Sequence, residues 1–152
     1  MHNGGVCMMQ MRHVGLYVHD LEMMSLFYQD VFHMLAICEN VKQEDALIED
    51  LLGQKYVKVT KLVTEYGKHA GSGDMLELLQ CTKKSNTISP FISDSGVLHM
   101  CFSVNDIENT VKDILINSGK QCTEIHNMDN GNKCCFCRDP EGNWLELIER
   151  VI

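Results

Sequence analysis

The sequence predicts an α+β fold made of two tandem βαβββ modules, and three observations carry that prediction. Apolar residues alternate in short strand-length runs, two stretches instead repeat at helical spacing, and this succession occurs twice along the chain. The run His13-Val14-Gly15-Leu16-Tyr17-Val18 is echoed 86 residues later by His99-Met100-Cys101-Phe102-Ser103-Val104. A second echo, 69 residues apart, pairs Gly73-x-x-Leu76-Glu77-Leu78 with Gly142-x-x-Leu145-Glu146-Leu147.

In order, the first module reads as a strand over 11–18, a helix over 20–32, and strands near 34–41, 55–65 and 74–80. Asp20 stands where the helix should begin, and a short carboxylate there accepts the free amide hydrogens of the first turn. Leu21, Met24, Phe27, Tyr28 and Val31 form one face of that helix and belong to the core. The second module repeats the order with a strand over 97–104, a helix over 106–118 opened by Asp106, and strands near 121–127, 132–138 and 143–150. Ile107, Val111, Ile114 and Leu115 give its helix the matching apolar stripe. The two offsets differ by 17 residues, so the first module is longer. The surplus falls in 42–53, where Ala46, Leu47, Asp50 and Leu51 read as an extra short helix closed by Gly53. The whole chain, 1–152, then reads as one domain of two modules, about 11–80 and 97–150, joined by a linker over 81–96 that contains Pro90.

Composition narrows the function. A net charge of −8 with scattered Lys and Arg argues against a nucleic-acid partner, because phosphate binding needs clustered cations. No run of 18 apolar residues exists to cross a membrane, and the opening residues lack a signal-peptide pattern, so a cytoplasmic location is expected. Eight cysteines in a chain with ample apolar periodicity are expected to be mostly free thiols. Cys134, Cys135 and Cys137 crowd one strand and read as small buried hydrophobes rather than ligands.

Four polar residues recur inside otherwise apolar strands: His13, Glu77, His99 and Glu146. A glutamate within Leu-Glu-Leu ordinarily alternates to solvent, and a lone strand histidine is ordinarily a hydrogen-bonded core or edge residue. Recurrence changes the reading, since each module supplies one His and one Glu at the same two places. Symmetric packing of the modules would converge all four on one cavity. Imidazole with carboxylate suits a first-row divalent ion such as Zn, Ni, Co, Fe or Mn.

These residues resemble the vicinal-oxygen-chelate superfamily, which includes glyoxalase I, methylmalonyl-CoA epimerase, extradiol dioxygenases and the fosfomycin-resistance and bleomycin-resistance proteins. The resemblance rests on His13-x-Gly-Leu-x-Val-x-Asp20-Leu, Phe27-Tyr28-x-Asp30-Val31, Leu76-Glu77-Leu78, Leu98-His99-Met100-x-Phe102-x-Val104 and Asp139-Pro140-Glu141-Gly142-Asn143-Trp144-Leu145-Glu146-Leu147. It implies two βαβββ modules forming an open barrel around a metal site. The His, Glu, His, Glu order is similar to glyoxalase I, and an epimerase also fits. Either implies a lyase or isomerase that removes a proton next to a carbonyl and holds the enediolate on one divalent metal, with Zn, Ni or Co preferred. By that resemblance His13, Glu77, His99 and Glu146 are ligands, Glu146 and Glu77 are the acid/base pair, and the substrate is a glutathione hemithioacetal or an acyl-CoA. Metal-free ligand sequestration and Fe(II) extradiol dioxygenation are the alternatives it leaves. A homodimer is expected, because pairing would cover the edges of short open barrels.

Arg12 and Arg138 flank the strand ends and are candidates to hold a substrate anion. Lys55, Lys58 and Lys61 read as exposed strand lysines, and Glu49 with Asp50 as a solvated helix face. His19, His33, His69 and His126 have no counterpart in the repeat and read as surface.

Overall fold

The computed structural model describes residues 11–65, 74–80 and 91–151. Strand β1 (Val14–Val18) leads into helix α1 (Leu21–Phe32), then β2 (Leu35–Gln43), a short helix α2 (Ala46–Leu52), β3 (Val57–Val63) and β4 (Met75–Gln80). The second module runs β5 (His99–Val104), α3 (Ile107–Ile116), β6 (Lys120–Gln121), β7 (His126–Asn127), β8 (Lys133–Arg138) and β9 (Trp144–Glu149). The fold is α+β, with two separate sheets ordered β1-β4-β3-β2 and β5-β9-β8-β6, β7 pairing β8 at the side. They are not closed into a barrel, and β1 and β5 each end a sheet.

The caps form as the sequence predicts. Asp20 and Asp106 accept the amide hydrogens of Met23 and Asn109 through their side chains, each at 2.9 Å. Helix α2 is capped by Asp45 and closed by Gly53, whose φ of 63° lies in the left-handed region that glycine adopts without strain. Two expectations fail: Leu115 is exposed rather than part of the buried stripe of α3, which is Ile107, Val111 and Ile114, and the strand near 121–127 is broken into the two-residue pieces β6 and β7. Between them the amides of Cys122 and Thr123 both donate to the carbonyl of Phe136, and the amide of Phe136 donates to Thr123 Oγ1. The hydroxyl thus replaces a ladder partner and interrupts regular pairing. The linker 81–96 lies outside the described residues up to position 90, as do Gly73 and His69.

One core joins the two modules. Leu76 and Leu78 from β4, Leu145 and Leu147 from β9, and Cys135 and Cys137 from β8 pack with the apolar stripes of α1 and α3. Phe32 of α1 stacks on Phe102 of β5 with ring centroids 3.9 Å apart. The helices and the shared core therefore lie behind both sheets.

Polar contacts fix how the modules meet. Glu141, in the turn between β8 and β9, accepts the amide hydrogens of His19 and Asp20 at 2.8 Å and so caps a helix of the other module. Asp139 is buried and accepts from the Tyr28 hydroxyl at 2.7 Å, from the amides of Glu141 and Asn143, and from the Asn143 side chain. Burial pushes the Asp139 carboxyl up while these four donors pull it back, and burial with the neighbouring carboxylate pushes the Tyr28 phenol well up.

Tyr28→Phe should cost about 1–3 kcal/mol in urea unfolding, because it strips a donor from a buried carboxylate. A carboxyl raised in the folded state loses its stabilising contribution as pH rises through the folded value. Removing the phenol raises Asp139 further, so the penalty should be larger near about pH 7 than near about pH 4. Glu141→Ala should cost about 1 kcal/mol by the same assay, as the lost cap predicts.

Candidate metal centre

The same register builds a His–Glu pair in each module. In the parallel pairing of β1 with β4, Glu77 lies opposite Gly15; in that of β5 with β9, Glu146 lies opposite Cys101. Each glutamate therefore faces the residue two beyond its histidine, and strand alternation puts both on one face. His99 Nε2 lies 3.0 Å from Glu146 Oε2, and His13 Nε2 lies 3.9 Å from Glu77 Oε1.

These distances test the fit to a metal. Donors at 2.0–2.2 Å on adjacent octahedral positions sit about 3.0 Å apart. The His99–Glu146 pair, hydrogen-bonded to each other, has that spacing, and the His13–Glu77 pair at 3.9 Å exceeds it. Neutral imidazole with carboxylate is also the donor chemistry of a first-row divalent ion, so the residues fit.

The four side chains do not meet within one chain. Among the described residues no group of three or more His, Cys, Asp or Glu is arranged to hold a metal ion. The reason is the shared core. Leu76 and Leu78 flank Glu77 in β4 and turn to that core, as Leu145 and Leu147 do beside Glu146, so each His–Glu pair sits on the opposite face of its sheet. The sequence leaves open whether the four converge within one chain or across two; in the single chain the two His–Glu pairs face away from a common centre.

The half-sites differ in their neighbours. Around Glu146 the face carries two thiols: Cys134 Sγ donates to Glu146 Oε1 at 3.4 Å, and Cys101 also contacts this carboxylate. Partial burial and then Glu146 push each thiol up to about 11. Phe136 lies directly across the ladder from Glu146 and meets the His99 ring edge-on. Arg138 stacks over Trp144, its guanidinium carbon 4.1 Å from the ring centroid, on the same face. Arg12 is exposed just ahead of His13. Beside Glu77, the residue across the ladder is Lys61, whose Nζ lies 3.5 Å from Glu77 Oε2. Ile48 of α2 packs on Val57, Val59 and Leu79, which cover the adjoining part of that face.

Three neighbours of the half-sites escaped the sequence reading, and alternation held the signal for each. Lys61, Cys101 and Cys134 lie at the right parity to share a face with a ligand-type residue. The three-cysteine run splits: Cys135 and Cys137 are buried in the core as expected, while Cys134 faces Glu146. Cys134 and Cys137 have C-x-x-C spacing, yet on a strand this puts them on opposite faces. All six described cysteines are free thiols. Glu49 and Asp50 are exposed on α2, and His19, His33 and His126 are exposed as expected.

A duplicated βαβββ fold with one imidazole–carboxylate pair per module defines a class. The sequence matches the model of the Glyoxalase/Bleomycin resistance protein/Dioxygenase superfamily over residues 10–147, and the chain belongs to that superfamily. No functionally curated protein matches it. Among solved structures it is similar to a glyoxalase family protein from Bacillus cereus, at 18% identity and a TM-score of 0.81, covering 98% of this chain and 99% of that one. It is also similar to a glyoxalase I variant from Zea mays, at 20% identity and a TM-score of 0.66, covering 94% of this chain and 46% of that longer one. A fosfomycin resistance protein from Listeria monocytogenes, complexed with Mn(II) and 1S,2S-dihydroxypropylphosphonic acid, gives 13% identity and a TM-score of 0.58, with 94% and 93% coverage. At these identities the structures share the fold.

Proposed function

We propose that the chain is a metal-dependent lyase or isomerase of the glyoxalase I type, with a substrate of the glutathione hemithioacetal or acyl-CoA kind. Its site would form between two copies, His13 and Glu77 of one meeting His99 and Glu146 of the other. The observation that supports this most is the identical register of the two His–Glu pairs, one to a sheet, each on or beside a strand that ends its sheet among the described residues. A dimer that sets β1 of one copy beside β5 of the other would cover both edges and give two sites.

A bound divalent ion, Zn, Ni or Co by preference and Fe or Mn also suited, supplies a Lewis acid that lowers the cost of charge on a carbonyl oxygen by several kcal/mol. His13 and His99 act as neutral ligands. Glu146 is both ligand and base, taking the proton next to the carbonyl from a distance of about 2.6–3.2 Å. Glu77 returns or accepts the proton across the substrate. Arg138, which stacks on Trp144, and the exposed Arg12 would meet a substrate carboxylate in this reading. The free thiols suit a reducing cytoplasmic setting.

His13→Ala and His99→Ala should each lose divalent-ion binding and turnover. Co-refolded in equal amounts, the two variants should recover about one quarter of wild-type activity, because half the dimers are mixed and each has one intact site. No recovery, with both variants dimeric, would place the site within one chain. The reaction itself is tested in heavy water: solvent deuterium should enter a 2-oxo hemithioacetal or a 2-methyl acyl-CoA only when metal is bound, and the substrate that exchanges separates the two chemistries.

A further inference from the structure

The two half-sites share a register but not a neighbour. Across the antiparallel ladder Glu146 faces Phe136, an apolar ring with no claim on a carboxylate. Glu77 faces Lys61, whose ammonium lies 3.5 Å from Oε2, while the other oxygen stands 3.9 Å from His13. The Glu77 side chain is only 14% exposed and that of Lys61 34%, so the contact is partly withdrawn from water. His99 and Glu146, with no cation across the ladder from them, close to 3.0 Å.

We infer that Lys61 is a positioning residue that holds Glu77 off the metal, making Glu77 the exchangeable carboxylate of the site and Glu146 the permanent one. This inference rests on the metal-centre reading above. Two physical arguments support it. A carboxylate oxygen paired with an ammonium has less electron density to offer an ion, so the lysine and the metal compete for one carboxylate. Finally, a carboxylate that leaves a metal needs a place to go without becoming a bare buried charge, and the ammonium is that place. Glu77 can then alternate between ion and lysine while staying ionised, which fits it for the second proton transfer and leaves the ion held by His13, His99 and Glu146.

The test reads metal affinity directly, by following free Mn(II) in electron paramagnetic resonance titrations of the intact protein. Lys61→Met should tighten Mn(II) binding by about threefold to tenfold, the size expected for freeing one carboxylate from a partly screened ion pair. Lys61→Gln should tighten it similarly, and Lys61→Arg should stay near wild type. In a Glu77→Gln background the effect of Lys61→Met should largely vanish, since the lysine acts through that carboxylate. Unchanged or weaker binding in both neutral variants would overturn the inference, as would the same tightening with Glu77 already replaced. A wild-type protein that binds no divalent ion would overturn the metal reading and this inference with it; a bound ion insensitive to Lys61 would overturn the inference alone.

Discussion

The chemistry available to this chain depends on one constraint, the parallel pairing of the first and last strands of each module. That pairing sets a glutamate opposite the residue two beyond a histidine, and alternation then brings the two side chains to one face. A slip of one residue would turn the carboxylate into the apolar core and the imidazole away from it. Leu76, Leu78, Leu145 and Leu147 prevent the slip, because each would lose its burial in the shared core. The apolar residues around each glutamate are what aim it.

The same core decides where the pairs cannot go. Helices α1 and α3 pack between the modules, the turn over 139–143 reaches across to cap α1 and hold Tyr28, and both ligand-bearing faces point away. The metal site proposed above would need a second copy to complete either pair, brought in at β1 and β5, which end their sheets among the described residues. In such a site Lys61 and Phe136 would set the two carboxylates apart.

Much of this is legible in the sequence, for identifiable reasons. The repeat, the aspartate caps and the Gly53 stop are local signals, governed by spacing and backbone hydrogen bonds. Alternation locates the four ligand-type residues. Convergence is not legible, because whether two modules join edge to edge or back to back depends on tertiary packing of the helices. The run 139–143 reads as a family marker, and only the folded chain shows what it does physically. Asp139 and Glu141 act on Tyr28, His19 and Asp20, more than a hundred residues away in sequence. Lys61 looks like an ordinary exposed strand lysine, since its partner Glu77 becomes a neighbour only through the β3–β4 register. The broken strand at 121–127 turns on a single hydroxyl, that of Thr123.

Native mass spectrometry of the protein loaded with Mn(II) or Zn(II) addresses the central claim most directly, because it reports chain number and ion number in the same species. A site completed by a second copy predicts a two-chain species carrying two ions and a single-chain species carrying none. A one-chain species that retains an ion would contradict it, as would a dimer that takes up no metal.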